Sequence, residues 1–145
     1  MSVEVEVVRV VTDEVVEAFE RLLPQLSRSA KPLDAEALSK LVAWDGNRLL
    51  VGRVDGDIVG ALTLVMFPIP TGMRAWIEDV VVDESARGRG VGAALTQEAV
   101  RLARADGART VDLTSRPSRE AANRLYERLG FQVRDSRVYR LPDAE

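Results

Sequence analysis

A basic, glycine-rich run, Arg87-Gly88-Arg89-Gly90-Val91-Gly92, stands shortly after the strand-like stretch Trp76-Ile77-Glu78-Asp79-Val80-Val81-Val82 and directly before residues of helical period. Strand, glycine turn and helix start together make an anion cradle. Successive backbone N–H groups point into such a turn, and the helix dipole adds positive potential there. Glycine allows close backbone approach, and Arg87 and Arg89 offer charge-assisted donors. The expected guest carries phosphate. A P-loop would need lysine and a hydroxyl residue after its last glycine, where Ala93-Ala94 stand. Gly88 to Ala93 does satisfy the letters of the dinucleotide pattern GxGxxG/A. There, however, the first glycine closes the turn at the strand's end, and a ribose-binding acid follows about 20 residues on. Asp83 to Arg87 intervene here, and Asp112 falls inside a predicted strand, Thr110 to Thr114, rather than at its end.

The chain contains neither cysteine nor histidine. That removes disulfides, thiolate nucleophiles, Cys/His metal sites and every histidine-based triad. No metal is expected, and any chemistry rests on carboxylates, Tyr, Ser/Thr, Lys/Arg, backbone groups or water. At 145 residues, 46% of them hydrophobic, the chain reads as one domain with a sound core. A net charge of −3 argues against a nucleic-acid partner for the protein as a whole. The apolar stretches are too short to span a bilayer, and no leader pattern opens the chain, so a cytoplasmic protein without a membrane partner is expected.

Val3, Val5 and Val7 mark a half-buried strand. Thr12-Asp13-Glu14 starts a helix with an apolar face at Val15, Val16, Phe19, Leu22 and Leu23, and Pro24 ends it or its regular part. Asp34 caps a second helix through Ala43. Val51–Val54 and Ile58–Met66 read as strands joined by a hairpin at Asp55-Gly56. The Trp76 strand follows a break at Pro68, Pro70 and Gly72. A helix runs from about Gly90 to Ala105, then a strand over Thr110–Thr114. Ser118 is expected to cap a last helix, with Ala122, Leu125, Tyr126 and Leu129 buried, Gly130 at its C′ position and Phe131 packing back. Two short strands near Phe131–Arg134 and Val138–Leu141 close the chain. The sum is a single mixed α/β domain of about seven strands and about four helices.

The glycine run resembles motif A of the GNAT superfamily of N-acetyltransferases, [R/Q]-x-x-G-x-[G/A], with Arg87, Gly90 and Gly92 in its fixed positions. Asn123-Arg124-Leu125-Tyr126-Glu127-Arg128-Leu129-Gly130-Phe131 resembles motif B, commonly written LYxxxGF. The resemblance is specific from Trp76 to Phe131 and generic before. It implies acetyl-CoA as cosubstrate, its pyrophosphate on the amides of Arg87, Gly88, Arg89, Gly90, Val91, Gly92 and Ala93. Its pantetheine arm would lie along Val80, Val81 and Val82, where the family's sheet opens to admit it.

The same resemblance implies transfer of acetyl to a primary amine, of a small molecule or a protein, by direct attack in a ternary complex. Tyr126 fills the tyrosine position of motif B, which the family commonly uses to protonate the departing thiolate. A phenol stays protonated at neutral pH, though Tyr126 also lies on an apolar helix face. Glu78 and Asp79, as neighbours on a strand, must point to opposite faces. Glu78 shares the parity of Trp76, Val80 and Val82, Asp79 that of Ile77 and Val81, and a buried carboxylate on either side would serve as the base. Glu78 is the favoured member, and a carboxylate tying down a loop is an equal alternative. Asn123 is a candidate for the cofactor arm. The commonest version of the family has asparagine where this chain has Arg119, which is left to reach a phosphate instead. Three alternatives stay open at this point: a non-catalytic acyl-CoA-binding or sensor domain, a dinucleotide-binding module, and a homodimer.

Overall fold

The computed structural model describes residues 2–143. The chain divides into two compact units, one up to Thr114 and one from Ser115 onward. The first holds a five-stranded sheet in the order β1-β2-β3-β4-β5. These are β1 (Val3–Val7), β2 (Asn47–Val54), β3 (Asp57–Ile69), β4 (Gly72–Val82) and β5 (Thr110–Asp112). The first four strands pair antiparallel and β5 joins β4 in parallel. The β2–β3 hairpin turns at Asp55-Gly56, both at positive φ as a type I′ turn requires.

Helices α1 (Asp13–Leu26) and α2 (Ala35–Ala43) cover one face of the sheet. Val15, Ala18, Leu22 and Leu38 pack there with Leu49, Val51, Ile58, Ala61 and Val81. Thr12 and Asp34 cap the two helices as the sequence indicates, accepting from the Val15 and Ala37 amides. Pro24 does not stop α1, which runs on to Leu26; the proline removes the amide that would donate to the Glu20 carbonyl and crowds that carbonyl, but only two residues of helix follow it. Helix α3 (Val91–Ala105) covers the opposite face. It lies so close that a Cβ on Gly60 would sit 2.8 Å from Val91 Cγ1 and 3.1 Å from the Val81 carbonyl oxygen.

Helix α4 (Glu120–Arg128) belongs to the second unit. Its end is a Schellman motif: Phe131 N–H donates to the Tyr126 carbonyl at 3.0 Å and Gly130 N–H to Glu127 at 3.0 Å. Two expectations fail here. Ser118 does not cap α4; Arg119 occupies the N-cap position, and no side chain caps the helix. The two closing strands are not formed, so the described residues make five strands rather than about seven. Around Val133 and Val138 arginine, aspartate and serine break the alternation after one or two apolar residues. With Val133 90% and Tyr139 87% exposed, no buried face specifies a register.

Gly60→Ala should force α3 off the sheet and destabilise the fold by about 1–3 kcal/mol, the usual range for overpacking. Urea unfolding would register it as a lower midpoint at unchanged m-value.

Candidate active site

β4 carries the centre of the site. Its parallel pairing with β5 covers Arg74–Thr110, Ala75–Val111 and Trp76–Asp112 and then stops. β4 itself continues to Val82, still paired with β3 through Gly60–Val82. From Ile77 onward, then, β4 has a strand on one side only among the described residues. By strand geometry every second residue of that stretch turns its N–H and C=O away from β3, toward the opening.

Within that stretch β4 carries a bulge. Ala61 faces Val81 and Thr63 faces Glu78, so Leu62 opposes both Asp79 and Val80. Asp79 takes φ +51°, a left-handed conformation that aspartate tolerates better than most residues. The extra residue reverses the alternation. Ile77 stands opposite Leu64, on the sheet face of Gly60, which α3 covers. Val81 packs in the cluster under α1 and α2. The parity argument, which set Asp79, Ile77 and Val81 on one face, is corrected accordingly. Glu78 and Asp79 are both exposed, so neither is the buried base that the sequence suggested. The bulge removes the cost of an acidic pair in an apolar strand by turning both outward.

Past Val82 the chain enters a 3-10 turn, Glu84–Ala86, whose N-cap is Asp83. Asp83 accepts from Ser85 N–H at 3.2 Å and from Arg21 Nε at 2.9 Å. The Ser85 amide, with Arg21 helping, holds this carboxyl below the usual aspartate range against the opposing effect of burial. Gly88 and Gly90 follow at φ +83° and +82°, with open space where a Cβ would project. These angles, not crowding, call for glycine. Gly90 is the N-cap of α3 and offers no side chain to it. The first intrahelical bond runs from Ala94 N–H to the Gly90 carbonyl at 3.0 Å, so the Val91, Gly92 and Ala93 amides have no helical acceptor. α1, α2 and α4 each carry an acid in the first turn and α3 carries none. No acidic side chain of its own first turn meets the positive end of its dipole. Arg87 and Arg89 are exposed beside it.

In the second unit, the Tyr126 ring is buried and meets Phe131 edge-on, with centroids 5.9 Å apart. Burial raises the phenol above its ordinary pKa, and Arg119 draws it slightly back. Its hydroxyl makes no hydrogen bond among the described residues. Asn123 is engaged at both ends of its amide: Oδ1 accepts from the Ser115 hydroxyl, and Nδ2 donates to the Arg116 carbonyl at 3.0 Å. It pins the loop leading into α4, and reaching a cofactor arm would cost it one of those bonds. Arg119 is exposed at the N-cap of that helix.

The acetyltransferase (GNAT) family model matches residues 12–131. The chain belongs to the GNAT acetyltransferase family. A glucosamine 6-phosphate N-acetyltransferase of Trypanosoma brucei brucei is 35% identical, over 75% of this chain and 78% of that protein. The crystal structure of a Trypanosoma brucei acetyltransferase superposes with a TM-score of 0.79 at 31% identity, covering 97% of this chain and 99% of the other. A ribosomal-protein-alanine N-acetyltransferase from Brucella melitensis shares the fold, with a TM-score of 0.80 at 22% identity over 99% of this chain and all of its own. This GNAT chain is thus an enzyme of the N-acetyltransferase type, on a fold that by itself names no acceptor.

Against the dinucleotide pattern, the 3-10 turn does separate the strand's end from the first glycine. The second argument fails, because β5 ends at Asp112. Missed altogether in the sequence were Arg21 and Gln25 of α1, which hold the turn ahead of the cradle. No local pattern marks them, since Arg21 lies 62 residues from Asp83.

Asp83 has a folded pKa below its unfolded value, so its contribution to stability is whole above pH ~4 and is lost as pH falls through the folded pKa. Asp83→Asn should therefore shrink the stability difference between pH 7 and pH 3, by no more than about 1 kcal/mol for a pair this near the surface. Urea titrations of both proteins at the two pH values check it.

Proposed function

We propose that this N-acetyltransferase moves acetyl from acetyl-CoA to the primary amine of a small phosphorylated amino sugar, by direct attack in a ternary complex. One observation carries the cofactor half of that reading: the open edge of β4 leads, through the 3-10 turn and the glycine run, to the uncapped N-terminus of α3. An amide-bearing arm ending in a pyrophosphate needs both, in that order. The free peptide groups beyond Ile77 would pair with the arm as a neighbouring strand does, and Val80, Val81 and Val82 contribute backbone rather than side chains. The amides of Gly88 to Ala93, with Arg87 and Arg89, would hold the pyrophosphate. The cosubstrate supplies an activated thioester, and the residues of this chain supply orientation, polarisation and proton handling.

The amine must be neutral to attack, and its proton passes through water to an exposed carboxylate, Glu78 first and Asp79 as the alternative. Peptide N–H groups at the bulge polarise the carbonyl as negative charge develops on its oxygen. As the carbon–sulfur bond breaks, the sulfur takes a proton from the Tyr126 phenol, which burial keeps protonated. The acceptor class follows the name of the 35% identical relative. Arg28 and Lys31, exposed between α1 and α2, are basic groups suited to a sugar phosphate.

Calorimetric titration should give acetyl-CoA and coenzyme A binding with none for NAD, weakened about tenfold in Arg87→Ala, as the loss of one exposed charge-assisted bond would. Turnover with glucosamine 6-phosphate, read as thiol release, should follow. Preferential binding of NAD, or no response to acetyl-CoA, would overturn the reading. Tyr126→Phe should lower kcat by about a hundredfold while leaving the acetyl-CoA KM within about twofold, as loss of a general acid does. An unchanged kcat would remove Tyr126 from the chemistry.

A further inference from the structure

The cradle's amides can meet an anion only if the turn ahead of them is held at one angle. Within itself the turn has the Ala86 N–H to Asp83 carbonyl bond at 2.9 Å and the Asp83 side-chain cap on Ser85 N–H at 3.2 Å. Its last link, from Arg87 N–H to the Glu84 carbonyl, spans 3.4 Å, at the long limit for a hydrogen bond. What ties the turn to the helical layer above the sheet comes from α1. Arg21 is a two-pronged donor: Nε reaches Asp83 Oδ2 at 2.9 Å and Nη2 the Ile58 carbonyl at 2.7 Å. Asp83 is fixed a second time by its own amide, which donates to the Val59 carbonyl at 2.8 Å. One helical turn further along, Gln25 Oε1 accepts from the Glu84 amide at 3.0 Å, while its Nε2 donates back to the Arg21 carbonyl at 3.1 Å. Two side chains at i and i+4 on one helix face thus hold consecutive residues at the turn, Asp83 by its carboxylate and Glu84 by its amide.

Charge gives the arrangement a second purpose. Asp83 stands four positions before Arg87, on the approach to a site for a multiply charged anion, and its carboxylate is largely covered, the side chain being 13% exposed. Left alone it would repel that anion. Paired with Arg21 it forms a locally neutral unit and still caps the 3-10 turn.

We propose that Arg21 and Gln25 are positioning residues for the pyrophosphate cradle: they set the angle of the turn, and Arg21 cancels the charge of Asp83. The proposal rests on the acetyl-CoA reading. It goes beyond that reading by giving α1, which touches no reacting atom in it, a share of cofactor affinity.

The test compares acetyl-CoA titrations and steady-state kinetics of the wild type, Arg21→Gln, Arg21→Lys and Gln25→Ala, each with its urea midpoint. Amide hydrogen exchange over residues 83–90 of the free proteins accompanies them. In Arg21→Gln, acetyl-CoA affinity should fall about tenfold and exchange across the turn should quicken. Its kcat at saturating acetyl-CoA should stay within about twofold, the signature of lost uniform binding. Arg21→Lys should recover part of the affinity, since an ammonium restores the charge but not the two-pronged geometry. Gln25→Ala should quicken exchange at Glu84 with a smaller loss of affinity. Folded Arg21→Gln with wild-type affinity and exchange would overturn the positioning role, as would equal losses in Arg21→Lys and Arg21→Gln that track the urea midpoint. A wild-type protein that binds no acetyl-CoA would overturn the cofactor reading and this proposal with it. A wild type that binds, beside variants that bind equally well, would overturn this proposal alone.

Discussion

Three residue pairs of parallel ladder join β4 to β5, and the shortness of that ladder governs the rest of the first unit. A longer one would bury both edges of β4, and the strand would be pure core. Ending at Trp76–Asp112, it anchors the start of β4 on both sides and leaves the later half held by β3 alone. That half needs support from elsewhere. Val81 finds it under α1 and α2, Gly60 lets α3 close against the other face, and Asp83 is tied to α1. The opening is stable because the sheet's two covering layers, not a fifth strand, carry it.

The bulge at Asp79 turns this support into a division of labour. One added residue lets the start of β4 bury Ala75 and Ile77, and its end bury Val81 on the opposite face. Each helical layer therefore holds a different half of the same strand. The opening runs from the bulge along the second of these halves. A residue at φ +51° costs some conformational energy, and the packing on both sides fixes it in place.

The glycine run and the LYxxxGF-like stretch were legible because both are local. Positive φ at Gly88, Gly90 and Gly130 and an uncapped helix start are backbone properties that residue type at fixed spacing announces. The hairpin at Asp55-Gly56 and the caps at Thr12 and Asp34 were legible for the same reason. What escaped was what depends on distant partners. Strict alternation through Glu78-Asp79 misplaced Ile77 relative to Val81, because a bulge is settled by the opposing strand. The adjacent acids were the only warning of it. Arg21 reads as any exposed helix arginine until its partners on β3 and in the turn are seen. The closing strands failed from the other side: one or two apolar residues around Val133 and Val138 have β-forming character but no face to bury.

The open half of β4 has one more consequence, for life in concentrated solution. Unpaired peptide groups along a strand edge invite pairing with any other strand that drifts past, including the same edge of another molecule. A flat edge of valines would be a template for aggregation. Here the exposed stretch begins with two adjacent carboxylates and a kink in the backbone. Like charges would face each other if two such edges met, and the kink prevents a straight ladder from forming. Glu78 and Asp79 thus guard an unpaired edge against its own copies.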